Sequence, residues 1–304
     1  MEIYGSSVNI NINRASNSFT HTLSYNFLGL TGTIATKTTQ TIVAFKIPGS
    51  FYAKIPNATS GTVTITCQTY SGSTLVGSST CTFRAIVFEN DNKPSVSATV
   101  EDVNPVSLEL TKDSNKLIRY ISNAKVVITA TAKNNATIKS VKVVNGSQTK
   151  TTVESTIEAI DSDTFVVSCI DSRGFTVSLS IKKEMIEYIK PVITDLQLQR
   201  PKTTSNTIQA QLQGLFYNAV LGTISNSIEL KVRYKNAEDE NWSNYTILTP
   251  NISENSFNLE QSLGDVFNYQ NSYNFEFVVT DKILNYTTTI TVTQRYTYYR
   301  YWEK

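Results

Sequence analysis

The sequence predicts an all-β protein made of three tandem immunoglobulin/fibronectin-like β-sandwich modules. Three observations predict it. Hydrophobic residues make up 40% of the 304 residues and charged residues only 17%, so Ser, Thr, Asn and Gln fill the polar share. That mixture suits a pleated, half-buried surface and suits long surface helices poorly. Short segments of alternating apolar and polar residues recur between turn signals, the pattern of a sandwich. A polar joint ending in proline occurs twice, as Asn90-Asp91-Asn92-Lys93-Pro94 and as Tyr188-Ile189-Lys190-Pro191-Val192. Proline fixes φ and holds the residue before it extended. Each joint therefore reads as a stiff boundary, and the modules are 1–90, 91–190 and 191–304.

The elements follow in order. Val8–Asn13 alternates strictly, Phe19–Tyr25 continues the alternation after a Ser-Asn turn, and Thr41–Phe45 adds a short strand. Pro48 and Pro56 then interrupt the ladder, because proline donates no hydrogen bond. Thr62–Tyr70 and Ser79–Val87 flank Ser71-Gly72-Ser73 as a hairpin. In the second module Ser95–Val100, Lys125–Ala132 and Ile138–Val144 are strands, and Asn145-Gly146 is the strongest short hairpin signal. Thr164–Ile170 leads through Asp171-Ser172-Arg173-Gly174 into Phe175–Ile181. The third module has strands at Val192–Leu198, Ser227–Tyr234, Trp242–Leu248, Tyr273–Thr280 and Tyr286–Val292, with a short helical turn at Ser262–Phe267. Its last hairpin repeats the design that closes the second module: strand, Asp, short turn, aromatic, Thr-rich strand.

The first module carries a resemblance. The run Val8–Tyr25, then Gly32–Ala35, Ile55–Thr62 and Thr69–Gly77, falls in the order seen at the start of a family of minor structural proteins. These proteins come from tailed phages of Gram-positive bacteria and are of uncharacterised function. The resemblance is good over the first module, general over the second and faint over the third. It implies repeated β domains and a place in the tail or baseplate, with the first module as the virion-docking end.

Little in the chain suggests chemistry. A net charge of +2 gives no electrostatic footprint for nucleic acid. No apolar run is long enough to span a bilayer. The N-terminus shows neither the basic nor the apolar region of a secretory signal. His21 is the only histidine and lies in an alternating strand, so packing or hydrogen bonding explains it better than metal ligation. Asp161, Asp163 and Asp171 are the nearest thing to a carboxylate cluster, yet lack the spaced oxygen ligands of a calcium loop. A turn at Ser71–Ser73 sets Cys67 opposite Val76 and keeps it from Cys81, so Cys67, Cys81 and Cys169 read as free thiols. No catalytic residue, metal or cofactor is expected, and an enzyme is the least supported class.

Two sets of residues are candidate contacts. The C-terminal aromatics Tyr296, Tyr298, Tyr299, Tyr301 and Trp302 are a candidate interface, because such a segment makes a long apolar patch. Trp242 and Tyr245 follow a polar turn and are candidate carbohydrate contacts, with strand packing as the alternative. The expectation is a virion structural protein made in the host cytoplasm, a tail or baseplate accessory subunit acting through protein–protein interfaces. Its partners would be other virion structural proteins and further copies of itself, with neither nucleic acid nor membrane. The alternatives are an adhesin for host cell-wall polysaccharide and a capsid-surface fibre or decoration protein.

Overall fold

The computed structural model describes residues 6–293. The candidate interface Tyr296, Tyr298, Tyr299, Tyr301 and Trp302 lies outside the described residues.

In the first segment, β1 (Ser7–Asn11) pairs with β4 (Ile42–Lys46). Facing them is a sheet of β2 (Phe19–Phe27), β3 (Leu30–Thr38), β5 (Ser60–Ser71) and β6 (Thr74–Ile86), ordered β3-β2-β5-β6. Ile10, Val43 and Phe45 of the small sheet meet Leu23, Phe27, Val63 and Ile65 of the large one in a single core. Where the prolines interrupt the ladder, a 3-10 helix (Gly49–Lys54) drops Phe51 into that core, with its ring stacked 4.2 Å from that of Phe27.

The second segment has β7 (Ser95–Asp102), β9 (Ala124–Thr131) and β12 (Glu154–Ile157) in one sheet, ordered β12-β9-β7. A second sheet holds β10 (Ile138–Asn145), β11 (Gln148–Lys150), β13 (Thr164–Asp171) and β14 (Thr176–Lys182), ordered β11-β10-β13-β14. Short β8 (Lys116–Ile118) and β15 (Glu184–Ile186) pair in parallel. Two helices intervene, α1 (Glu89–Asn92) and α2 (Pro105–Thr111). Asn104 caps α2 by accepting from Val106 N and Ser107 N, with Pro105 as its first residue. That is the arrangement the backbone of a helix start calls for.

The third segment is a sandwich of two four-stranded sheets. One holds β16 (Val192–Gln199), β17 (Gln209–Leu215), β20 (Asn251–Ser253) and β21 (Ser256–Ser262) in the order β16-β17-β21-β20. The other holds β18 (Glu229–Asn236), β19 (Thr246–Leu248), β22 (Tyr273–Thr280) and β23 (Asn285–Val292) in the order β19-β18-β22-β23. Leu196, Ala210, Leu212, Phe257, Leu230, Phe275, Phe277 and Val279 fill its core. One four-stranded pattern, two hairpins side by side, thus occurs among the described residues in the same order three times: β3-β2-β5-β6, β11-β10-β13-β14 and β19-β18-β22-β23. The architecture is all-β, built of immunoglobulin-like sandwiches.

The chain divides into two compact units. Unit 1 comprises Met1–Val100, Lys125–Ile157 and Thr164–Lys182; unit 2 comprises Glu101–Ala124, Glu158–Asp163 and Lys183–Lys304. Both α-helices, the 3-10 helix, β3, β8, β12, β15, β17, β20 and β21 add to the elements read from sequence. Three local expectations are corrected. The β5–β6 turn is two residues, Gly72 and Ser73, with an irregularity beside it, so Cys67 faces Ser79 and Cys81 faces Ile65. Trp242–Tyr245 is not strand, because β19 begins only at Thr246. Ser262–Phe267 makes no helical turn; it crosses between the sheets and buries Phe267 completely.

Candidate interaction surfaces and joints

Alternate residues of a strand share a face. On β18, Leu230 and Val232 point into the core while Lys231, Arg233 and Lys235 share the outer face. The segment 237–245 returns across that face. It is anchored where Ser243 N donates to Tyr234 O (2.8 Å) and Tyr234 N donates to Ser243 Oγ (3.0 Å). This anchor sets the two aromatic rings among the cations. The Arg233 guanidinium carbon lies 5.0 Å from the centre of the Trp242 ring and 4.8 Å from that of Tyr245. Lys231 Nζ stands 4.8 Å from the Tyr245 ring and Lys235 Nζ 5.5 Å from the Trp242 ring.

Glu276, opposite Arg233 on β22, closes the cluster. Its Oε1 accepts from Arg233 Nε at 2.7 Å and from the Tyr245 hydroxyl at 2.5 Å. Burial pushes the Glu276 carboxyl up, but the Tyr245 and Arg233 hydrogen bonds outweigh it and hold it below the ordinary range. The bond to Glu276 raises Tyr245 in turn. Neither Trp242 nor Tyr245 belongs to the hydrophobic core. Two cations thus stand within 5.5 Å of the centre of each ring.

Sequence reading missed two buried polar constructions that lie at the joints. The first is in unit 1. Arg173, in the turn between β13 and β14, is 7% exposed. Its guanidinium donates to Ile55 O (3.1 Å) and Tyr52 O (2.9 Å) of the first segment, and to Lys133 O (2.9 Å) and Asn134 O (2.7 Å). Ser172 Oγ adds a bond to Pro56 O (2.6 Å), and Phe175 enters the core of the first sandwich. Burial lowers the guanidinium from its ordinary value, against the nearby Asp171 carboxylate. Buried Asn92 of α1 completes the joint, accepting from Asn134 Nδ2 at 2.7 Å.

The second joint is in unit 2. Tyr188, 2% exposed, donates its hydroxyl to Asp281 Oδ2 at 2.9 Å, and Asn226 Nδ2 donates to the same oxygen at 3.0 Å. Leu110, Ile118, Ile186 and Leu221 pack around Tyr188. Burial raises the Tyr188 phenol strongly, and Asp281 raises it further. Nearby, Thr223 N and Oγ1 both donate to Leu110 O, at 2.9 and 2.8 Å. The only signals in sequence were an arginine inside a hairpin turn and a tyrosine just before a proline joint.

His21, the cysteines and Asp171, singled out earlier, have local explanations. His21 is buried, with Nδ1 3.1 Å from Thr69 Oγ1. Cys67, Cys81 and Cys169 are free, and burial raises the Cys67 and Cys169 thiols. Asp171 accepts from Arg173 N and Phe175 N, each at 2.9 Å, as the anchor of its turn. Among the described residues no group of three or more His, Cys, Asp or Glu side chains is placed to hold a metal ion, and no helix is long and apolar enough to cross a membrane.

No curated protein matches the sequence. Among solved structures, the chain superposes on Sidekick-1 immunoglobulin domains 1–5 with TM-score 0.33 and 10% identity, covering 96% of this chain and 56% of that one. It superposes on a complex of Dpr2 Ig1–Ig2 with DIP-Theta Ig1–Ig3 with TM-score 0.33 and 11% identity, covering 95% and 94%. Superpositions that loose carry no argument, and the sandwich assignment rests on the sheets described above. The sequence itself is more specific: a family model matches it over residues 1–301, and the chain belongs to that family, described as siphovirus protein of unknown function (DUF859).

Proposed function

We propose that this siphovirus protein is a virion structural component, a tail or baseplate accessory subunit that works through protein–protein interfaces. The observation that supports it is the pair of built joints. Each commits buried, fully directed hydrogen bonds to fixing a closing hairpin turn against the segment before it. Each joint holds segments of one unit in a fixed relation, which suits a subunit that works through its surfaces. The first module is the proposed docking end, and other virion proteins and further copies of the chain are the proposed partners.

The test is to locate the protein in purified particles, by mass spectrometry of density-banded virions and by immunogold labelling. Label on the tail or its tip is the expected result. Label on the head would favour a capsid-surface decoration, and absence from the particle would sink the proposal. Binding of host cell-wall polysaccharide through Trp242 and Tyr245 is the second reading, in which a sugar would compete with the cations beside the rings. Fluorescently labelled protein that bound intact host cells, and lost them when the polysaccharide was stripped, would favour it.

A further inference from the structure

The large sheet of the first sandwich has two edges, and they are finished differently. An open edge offers unpaired N–H and C=O groups to any other strand, and proteins blunt such edges with bulges, charges or proline. β3 is blunted. Its pairing with β2 is interrupted twice, Lys37 has φ of 48°, and its ammonium sits 3.2 Å from the centre of the Tyr70 ring. β6 is not. It is thirteen residues long, and every residue from Thr74 to Thr82 is exposed. It has no proline, its one irregularity lies at the turn end, and Arg84 is its single charge. Even that charge leans back, with Nε donating to Ser60 Oγ at 2.7 Å. Leu75 and Val76 stand 50% and 51% exposed on it.

We propose that β6 pairs edge to edge with β6 of a second copy, antiparallel about a twofold axis at Ser79. The residue pattern favours this occupant. About that axis Thr80 faces Ser78 of the other copy and Thr82 faces Val76, while Leu75 lies opposite Phe83, whose ring packs against Phe45 of its own sandwich. Such hydroxyl pairs stabilise antiparallel ladders. The two Arg84 side chains end about ten residues apart, roughly 34 Å at strand rise, so the only charges on the edge do not meet. A parallel pairing would stack them. The pairing joins two four-stranded sheets into one of eight and removes the exposed edge. It goes beyond the proposed virion role, being a property of the purified chain wherever the particle holds it.

The test places a charge on the axis. Ser79 is exposed, so Ser79→Lys and Ser79→Glu leave the sandwich intact, which circular dichroism checks. Sedimentation velocity should show a dimer for the wild type and about tenfold or more weaker association for each variant alone. An equimolar mixture of the two variants should regain the dimer, since Lys then meets Glu. A wild type that stays monomeric at its highest soluble concentration would overturn the proposal. So would a dimer that both variants leave unchanged, or a mixture that fails to recover. A monomeric chain found in purified particles would separate this failure from any failure of the virion role.

Discussion

The turn after β13 and the turn after β22 begin alike. Each opens with a buried aspartate whose Oδ1 gathers two backbone N–H groups: Arg173 and Phe175 at Asp171, Ile283 and Leu284 at Asp281. Beyond that they diverge. The first turn offers donors, through Arg173, and its partners are four backbone carbonyls. The second turn offers an acceptor, Asp281 Oδ2, and its partners are two particular side chains, Tyr188 and Asn226. A carbonyl is present whatever residue carries it, so the four bonds of Arg173 depend on backbone shape and on one arginine, with Ser172 and the Asn92–Asn134 pair beside them. The second depends on the identity of three residues. One local turn therefore serves two joints, and what it presents outward decides how each is specified.

The sharpest way to break the comparison is Arg173→Ala. It strands buried carbonyls that had a charged, multidentate donor, and should cost about 3 kcal/mol or more. Arg173→Lys should recover only part, because an ammonium lacks the planar fork that spans four acceptors. Trp242 lies in unit 2, and with Trp302 replaced by Phe in every variant it is the one tryptophan left, so its fluorescence reports on unit 2. The loss should appear in urea unfolding followed by circular dichroism, and as faster hydrogen exchange in 50–58, with the fluorescence transition little changed. Equal shifts in both transitions would deny that Arg173 acts within unit 1.

Gly222→Ala should be nearly as costly to unit 2. Gly222 has φ of +85°, and a Cβ there would lie 2.7 Å from Leu110 O and from Thr111 Cα, both backbone atoms. Left-handed strain and overpacking together cost about 3 kcal/mol, and the fluorescence transition should report it.

Tyr188→Phe removes one hydroxyl and should cost about 2 kcal/mol at neutral pH. It also carries a pH signature that the arginine joint lacks. The folded phenol is raised above its ordinary 10.0. Its contribution is therefore complete below about pH 10, and it falls as pH rises from there toward the folded value, because the unfolded chain ionises first. The stability gap between wild type and Tyr188→Phe should be flat up to about pH 10 and narrow above it. A gap that widened in alkali would mean that the hydroxyl is not the buried donor described here.

Much of this fold could be read from residue pattern. Tyr273–Thr280 forms β22 with the predicted ends, and a hairpin forms where Asn145-Gly146 signalled one, though its turn is Gly146-Ser147, with Asn145 paired to Gln148 at the end of β10 and Gly146 at φ of 52°. Both signals are local. What escaped depends on contacts far along the chain: Arg173 and Ile55 are 118 residues apart, and Tyr188 and Asp281 are 93. No periodicity records such pairs. The β5–β6 register slipped for a smaller reason, a two-residue turn where the Ser-Gly-Ser run suggested three. At the candidate site, the position of Trp242 and Tyr245 after a polar turn was legible, but their environment was not. The cations over them come from β18, and only its pairing with β22 sets Glu276 beneath Arg233.

That surface cluster gives the smallest expected effect, and it measures what burial adds to the joints. Like them, it combines a guanidinium or phenol with an oxygen acceptor, but in water, where screening and hydration weaken each contact. Arg233→Ala should leave the unfolding midpoint of unit 2 nearly unchanged. The segment 237–245 keeps its bonds between Ser243 and Tyr234 but loses the cation shared by its two rings. It should therefore be cut faster by protease than in the wild type, and the Trp242 emission should shift toward the red as the ring meets water. A midpoint loss as large as that of Tyr188→Phe would show that the outer face of β18 holds the sandwich together as firmly as its joint. The distinction between buried fixtures and surface staples would then fail for this chain.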